Sequence, residues 1–163
     1  PRAVDRMERL VTDLRALARQ GDRVTDREPV ALPGVIQASW DTVDTDDATL
    51  LVDVHTTVLA DESRLRQLFE NLFRNAVEHG GTDVTVRVGR VDNDTIYVED
   101  DGSGIPVERR DEVFEPGHSS ASGGTGFGLT IVKRIVEAHG WTVSVTDGPE
   151  GGARFEFAMS HQA

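Results

Sequence analysis

The chain has 163 residues, 37% of them hydrophobic, no cysteine and a formal net charge of −12. That is enough for one core of ordinary size, and it excludes disulfides and thiolate zinc sites. An acidic surface repels nucleic-acid backbones, no apolar run approaches a membrane span, and no secretory signal opens the sequence, so a soluble cytoplasmic chain without nucleic-acid or direct membrane contact is expected.

From Val4 to Ala18 the apolar residues Val4, Met7, Val11, Leu14 and Ala18 alternate between three- and four-residue spacings, with Leu10 and Leu17 widening the stripe. This is the pattern of a bundle helix. Gly21 interrupts it, and residues 20–28 are polar enough for a linker. Two heptads cannot bury their seam alone, so the helix should continue an upstream segment or pair in a dimer; folding back on the main domain is the alternative. A short extended piece (Pro29 to Leu32), a helix opened by Pro33 (Gly34 to about Thr45) and a strand (Leu50 to His55) come next. Asp61 is a candidate N-cap for a long helix to His79, stopped by Gly80 and Gly81. Two alternating strands follow, carrying Val84, Val86 and Val88, then Ile96 and Val98, with a turn at Asp92 to Asp94. Asp101 to Thr125 is glycine-rich and shows no period beyond a turn around Val107 to Val113, as expected of a functional loop. A helix from Gly126 to His139 and strands Thr142 to Thr146 and Ala153 to Ala158 complete an α+β plan: a stalk helix, then a sheet covered on one face by helices.

Three constellations carry chemistry. On the long helix Leu65, Leu68, Phe69, Leu72, Phe73 and Ala76 share the buried face, while Asn71 and Asn75 fall together at its edge. Asn is a poor mid-helix residue, so the pair is either solvated or aims two amide oxygens into a cleft, where they would suit a hard cation such as Mg²⁺. Asp100-Asp101-Gly102-Ser103-Gly104-Ile105-Pro106 follows a strand. It is either a tight turn or a carboxylate placed to accept from an amino group, beside glycines that let a flat ring approach the backbone. Gly123 to Ile135 sets Gly124, Gly126 and Gly128 at the start of an amphipathic helix. There main-chain amides and the positive helix end could cradle phosphate, although a hinge fits as well. Neither the Walker A loop nor the dinucleotide fingerprint matches it.

In this order and at these separations the three motifs resemble the N, G1 and G2 boxes of the histidine-kinase catalytic domain, in the superfamily of gyrase-like ATPases. The likeness spans Glu28 to Met159, and Arg6 to Asp22 resembles the second helix of the kinase dimerisation and phosphoacceptor hairpin. It implies a two-layer α/β sandwich of the Bergerat type with a mixed sheet. The implied division is hairpin end (1–22), linker (23–28) and catalytic domain (29–163). It also implies ATP and Mg²⁺ as cofactors, a homodimer formed through the stalk, and a response-regulator receiver domain as partner.

By the same resemblance Asn71 and Asn75 are the catalytic pair. Asn75 ligates Mg²⁺ and Asn71 lines the same wall. Asp100 takes the adenine amino group, with Gly102, Gly104 and Ile105 beside the ring, and Phe114 anchors the lid. Gly124, Gly126 and Gly128, with the interleaved Thr125, Phe127 and Leu129, form the phosphate-facing segment. Gly151 and Gly152 match the glycine pair before the last strand.

Hydrolysing and serine-directed members of the superfamily carry Glu at the position of Asn71, where a general base is needed. Here an amide stands there and Glu70 is expected on the surface, so transfer to histidine, already a nucleophile when neutral, is favoured over hydrolysis. A serine-directed kinase of the anti-sigma type and a non-catalytic nucleotide-sensing scaffold are the rivals. Three features depart from the pattern. The phosphoacceptor His is absent, as in a fragment lacking the upstream helix. No Arg or Lys lies between Arg110 and Lys133, which leaves only His118 nearby and His79 after the Asn helix. Glu78 stands where Lys is frequent.

Basic residues are sixteen Arg against the single Lys133, and seventeen of the twenty-nine acids are Asp. Such charge keeps a protein soluble where salt screens repulsion, which points to a halophile's cytoplasm; a GC-rich genome accounts for the arginines equally well. Salt adaptation predicts that the melting temperature rises steeply with potassium chloride up to molar concentrations, and a melting temperature indifferent to salt would refute it.

Overall fold

The computed structural model describes residues 4, 7, 8, 10–12, 14, 15, 24, 26–45, 47–81, 83–115, 128–149 and 151–159. The described residues between 4 and 15 are helical, with Val4, Met7, Val11 and Leu14 exposed by 50, 66, 49 and 47%. These four residues of the predicted seam therefore face solvent.

β1 (Glu28–Ala31) and β3 (Thr57–Ala60) form an antiparallel two-stranded ribbon. β3 was not expected, because four residues are too few to show a period and the strand exists through its pairing with β1. Between them α1 (Leu32–Thr42) begins and ends a few residues before its expected bounds, with Pro33 in its first turn and Leu32, Val35, Ile36 and Ser39 buried. The Ser39 hydroxyl donates to the Val35 carbonyl at 2.7 Å and lies 3.2 Å from that of Arg66, which ties α1 to α2 (Glu62–Gly80). The Asp61 carboxylate accepts from the Arg64 N–H at 3.1 Å, the N-cap that its position predicts. The apolar face of α2 is fully used, and Phe73 stacks on Phe69 at 5.9 Å and meets Trp40 edge-on at 5.2 Å.

The main sheet has the order β2 (Thr49–Asp53), β4 (Thr85–Arg90), β5 (Thr95–Asp100), β7 (Ala153–Ala158), β6 (Thr142–Asp147). β2 runs parallel to β4 and every other pair is antiparallel, so the sheet is mixed as expected. Val86, Val88, Ile96, Val98, Phe155 and Phe157 are buried together with Ile131, Val132, Ile135 and Val136 of α3 (Gly128–Ala138). The alternate residues are polar: Arg154 lies 4.0 Å from the Tyr97 ring centroid and pairs with Glu99 and Glu156. One face of the sheet is thus covered by helices.

α3 ends in a left-handed cap, with Gly140 at φ +77°, its N–H donating to Glu137 and the Trp141 N–H donating to Val136. Just before it His139 is 1% exposed and its ring stacks on Trp141 at 4.2 Å. The Ile135 carbonyl, 2.8 Å from Nδ1, can only accept, and the Asp61 N–H, 3.1 Å from Nε2, can only donate. His139 is therefore the neutral Nδ1–H tautomer, joining the end of α3 to the start of α2. Burial holds its pKa below the ordinary imidazole value, and the bond to Ile135 opposes that shift. As pH falls below about 6.5 the unfolded chain takes up a proton that the folded ring resists, so the contribution of His139 is complete above that pH and declines beneath it. His139→Gln should cost about 1–3 kcal/mol in urea denaturation at pH 7.5, and the gap to the parent should narrow at pH 5.5.

Candidate functional site

β5 leaves the core at Asp100, whose half-buried carboxylate accepts through Oδ1 from the N–H of Gly102 at 2.9 Å and that of Ala153 at 3.4 Å. Burial pushes this carboxyl above the usual range; the two backbone bonds pull it back, Asp101 raises it and His79 lowers it. Asp101 itself turns away to accept from the Thr85 N–H at 2.8 Å.

Three backbone segments converge here without side chains between them. A Cβ on Gly102 would stand 2.6 Å from the Gly80 Cα, at the end of α2, and one on Gly152 would overlap the main-chain carbonyl of Asp100. Gly104, at φ +78°, faces the Gly151 carbonyl in the same way. The glycines after Asp100 and the pair before β7 thus build one floor, with Asp100 at its edge.

Two helices carry the asparagines and the last glycine of the third motif. Asn71 is 5% exposed and its Nδ2 donates to the Gln67 carbonyl at 2.8 Å; its Oδ1 lies 3.4 Å from the point where a Cβ on Gly128 would stand. The asparagine rim of α2 therefore meets the first residue of α3, and half-buried Asn75 follows one turn on. Leu129, half-buried, packs against the core. Glu70 corrects its expectation: it is half-buried, ion-paired to Arg66 at 3.7 Å, and burial raises its pKa against the pull of Arg74 and Arg66.

Phe114 is held by three contacts. Its ring meets Phe155 edge-on at 6.2 Å, Lys133 Nζ lies 5.8 Å from its centroid, and its carbonyl accepts from the Thr130 hydroxyl at 2.9 Å. Ile105 packs on the core, and its carbonyl accepts from Arg110 Nε at 3.3 Å while that guanidinium pairs with Asp147. Gly124, Thr125, Gly126, Phe127 and His118 lie outside the described residues. His79 is exposed in the last turn of α2, on the Asp100 side. Among the described residues no group of three His, Asp or Glu could hold a metal by itself.

Sequence reasoning missed Thr130, Arg110 and the approach of Gly80 to Gly102. A threonine in a helix gives no sign that its hydroxyl reaches back to a loop, and Gly80 had sufficient reason to be glycine as a helix stop.

These contacts rank the glycines. Gly102→Ala and Gly152→Ala meet backbone and should each lower stability by about 1–3 kcal/mol or more, whereas Gly128→Ala meets one amide oxygen and should stay within about 1 kcal/mol of the parent in urea denaturation.

A family model described as histidine kinase-, DNA gyrase B- and HSP90-like ATPase matches residues 60–163. The sensor histidine kinase ZraS of Klebsiella oxytoca is 35% identical across 97% of this chain and 36% of its own length. The chain spans about a third of the curated relatives it matches. Among solved structures, a mycobacterial sensor histidine kinase MprB superposes with a TM-score of 0.68 at 28% identity, covering 80% of this chain and 95% of that one. Full-length ShkA in complex with AMPPNP gives 0.74 at 27% identity, covering 98% of this chain and 37% of that one.

Proposed function

The chain belongs to the family of histidine kinase-, DNA gyrase B- and HSP90-like ATPases, as an ATP-binding domain of the sensor histidine kinase kind, and on that premise we propose that it transfers the γ-phosphoryl group of ATP to a histidine on a dimerisation helix, for relay to an aspartate of a response-regulator receiver domain. The observation that carries this reading is Asp100 at the edge of a floor made of bare backbone. Its Oδ1 is fixed by two N–H groups, which leaves Oδ2 to accept from the adenine amino group while Gly102 and Gly104 admit the ring.

The phosphates would be held at the start of α3, where Gly124, Gly126 and Gly128 match by resemblance the phosphate-facing glycines of the family. With no ready-made cluster of His or carboxylates among the described residues, the amide oxygen of Asn75 fits Mg²⁺, a cation that keeps water and phosphate oxygens as its other ligands. When bound, Mg²⁺ offsets the charge on the phosphates. In the transfer a neutral imidazole nitrogen of the acceptor forms a bond to the γ-phosphorus as the bond to the β–γ bridging oxygen breaks. ADP leaves and the ring gives up its N–H proton to solvent. Asn71, an amide whose Nδ2 is committed to Gln67, cannot take a proton from water, which disfavours hydrolysis. The exposed seam of the N-terminal helix supports pairing with a second copy.

Asp100→Asn should weaken ATP binding about tenfold to a hundredfold in calorimetry, since it presents a donor to a donor. The same change should leave the melting temperature equal or higher, because burial opposes the charge it removes. Asn75→Ala should abolish Mg²⁺-dependent transfer while ADP affinity in EDTA changes less than about threefold. Mixed with a separately made phosphoacceptor hairpin and labelled ATP, the chain should yield acid-labile, base-stable phosphate. Acid-stable phosphate would point to a serine-directed kinase, and no phosphate to a scaffold.

A further inference from the structure

The carbonyls at the end of α3 can be accounted for one by one. That of Ile135 accepts from His139, that of Val136 from Trp141, and that of Glu137 from Gly140. Ala138 and His139 are left over by this cap. Both are taken by the segment that enters the domain from the N-terminal side: the Val24 N–H donates to Ala138 at 3.0 Å, and the Arg27 guanidinium donates to His139. Arg27 also brings a positive charge to the negative end of the helix. The seat is keyed from beneath, since the His139 ring holds the Asp61 N–H at the head of α2 and lies against Trp141. Arg27, Asp61 and Arg64 are the charged groups that act on that ring. α3 and α2 meet again at Gly128 and Asn71, so both helices run from the seat to the asparagines of the candidate site.

We propose that the C-terminal end of α3 is the docking seat for the segment joining the N-terminal helix to the ATPase domain, latched by Arg27 and Val24, and that occupancy of the cleft tightens the latch. The seat is read from the geometry alone. The coupling rests on the proposed ATP-binding function, and the experiment separates the two. Amide hydrogen exchange is followed by NMR in the 163-residue chain, with and without Mg²⁺-AMPPNP, for the parent and for Arg27→Ala. Without nucleotide, Arg27→Ala should accelerate exchange at Val24 at least about tenfold while Val98 in β5 keeps its protection. Arg27→Lys, which keeps a charged donor, should fall between. If Val98 also loses protection in Arg27→Ala, the same comparison is made with Arg27→Gln. Unchanged protection of Val24 in the variant that retains its fold overturns the latch. With the analogue, Val24 exchange in the parent should slow at least about threefold, and this gain should vanish in Arg27→Ala. Binding of the analogue, confirmed by calorimetry, without that slowing overturns the coupling. Failure of the analogue to bind overturns the nucleotide reading and with it the coupling, and leaves the latch to be judged by the first comparison.

Discussion

A half-buried carboxylate is tolerable only where hydrogen bonds replace the water it has lost, and the site is organised around that requirement at Asp100. The two N–H groups that meet it come from Gly102, just beyond β5, and from Ala153, the first residue of β7. Both must approach closely, which is why Gly102 lies against Gly80 and Gly152 against the Asp100 main chain. One polar group thereby fixes three things at once: where β5 stops, where α2 exits and how the loop between β6 and β7 lies. In the proposed reading the same burial serves recognition, because an acceptor held in place and partly dried discriminates between ligand edges more sharply than a solvated one.

What could be read in the sequence is what repeats. α2 and α3 are legible in the spacing of Leu, Phe, Ile and Val, and β4, β5 and β7 in their alternation, because one face of each is buried and the period follows from geometry. The asparagine pair and the glycine runs were legible as departures from what a helix or strand prefers, and the structure sets Gly102 and Gly104 beside Asp100 and the glycine pair before β7, and Gly128 beside Asn71. Contacts between distant segments were illegible. β3 exists because β1 lies beside it, Glu70 is half-buried because of how α2 sits among its neighbours, and the Thr130 hydroxyl finds the Phe114 carbonyl sixteen residues earlier. None of these leaves a local mark, since the partner is chosen by the fold.

The charge balance has a structural counterpart. Several arginines that could have served an anion are engaged elsewhere: Arg66 with Glu70, Arg110 with Asp147, Arg154 with Glu99 and Glu156, and Arg27 on the end of α3. In the proposed reading a phosphate at this site would be met by amide dipoles and a metal ion. Such a site depends on orientation more than on long-range attraction, so the packing of α2 against α3 governs it more than the net charge does.

The lone lysine gives the molecule a further property. Lys133 is exposed on α3, with its ammonium over the Phe114 ring, and no other residue of the chain carries a side-chain amine. Acylating reagents directed at lysine therefore have one side-chain target, seated over Phe114, just past the 3₁₀ turn at Val107–Arg109. A fluorophore attached there reports on Phe114 and its surroundings without any engineered handle.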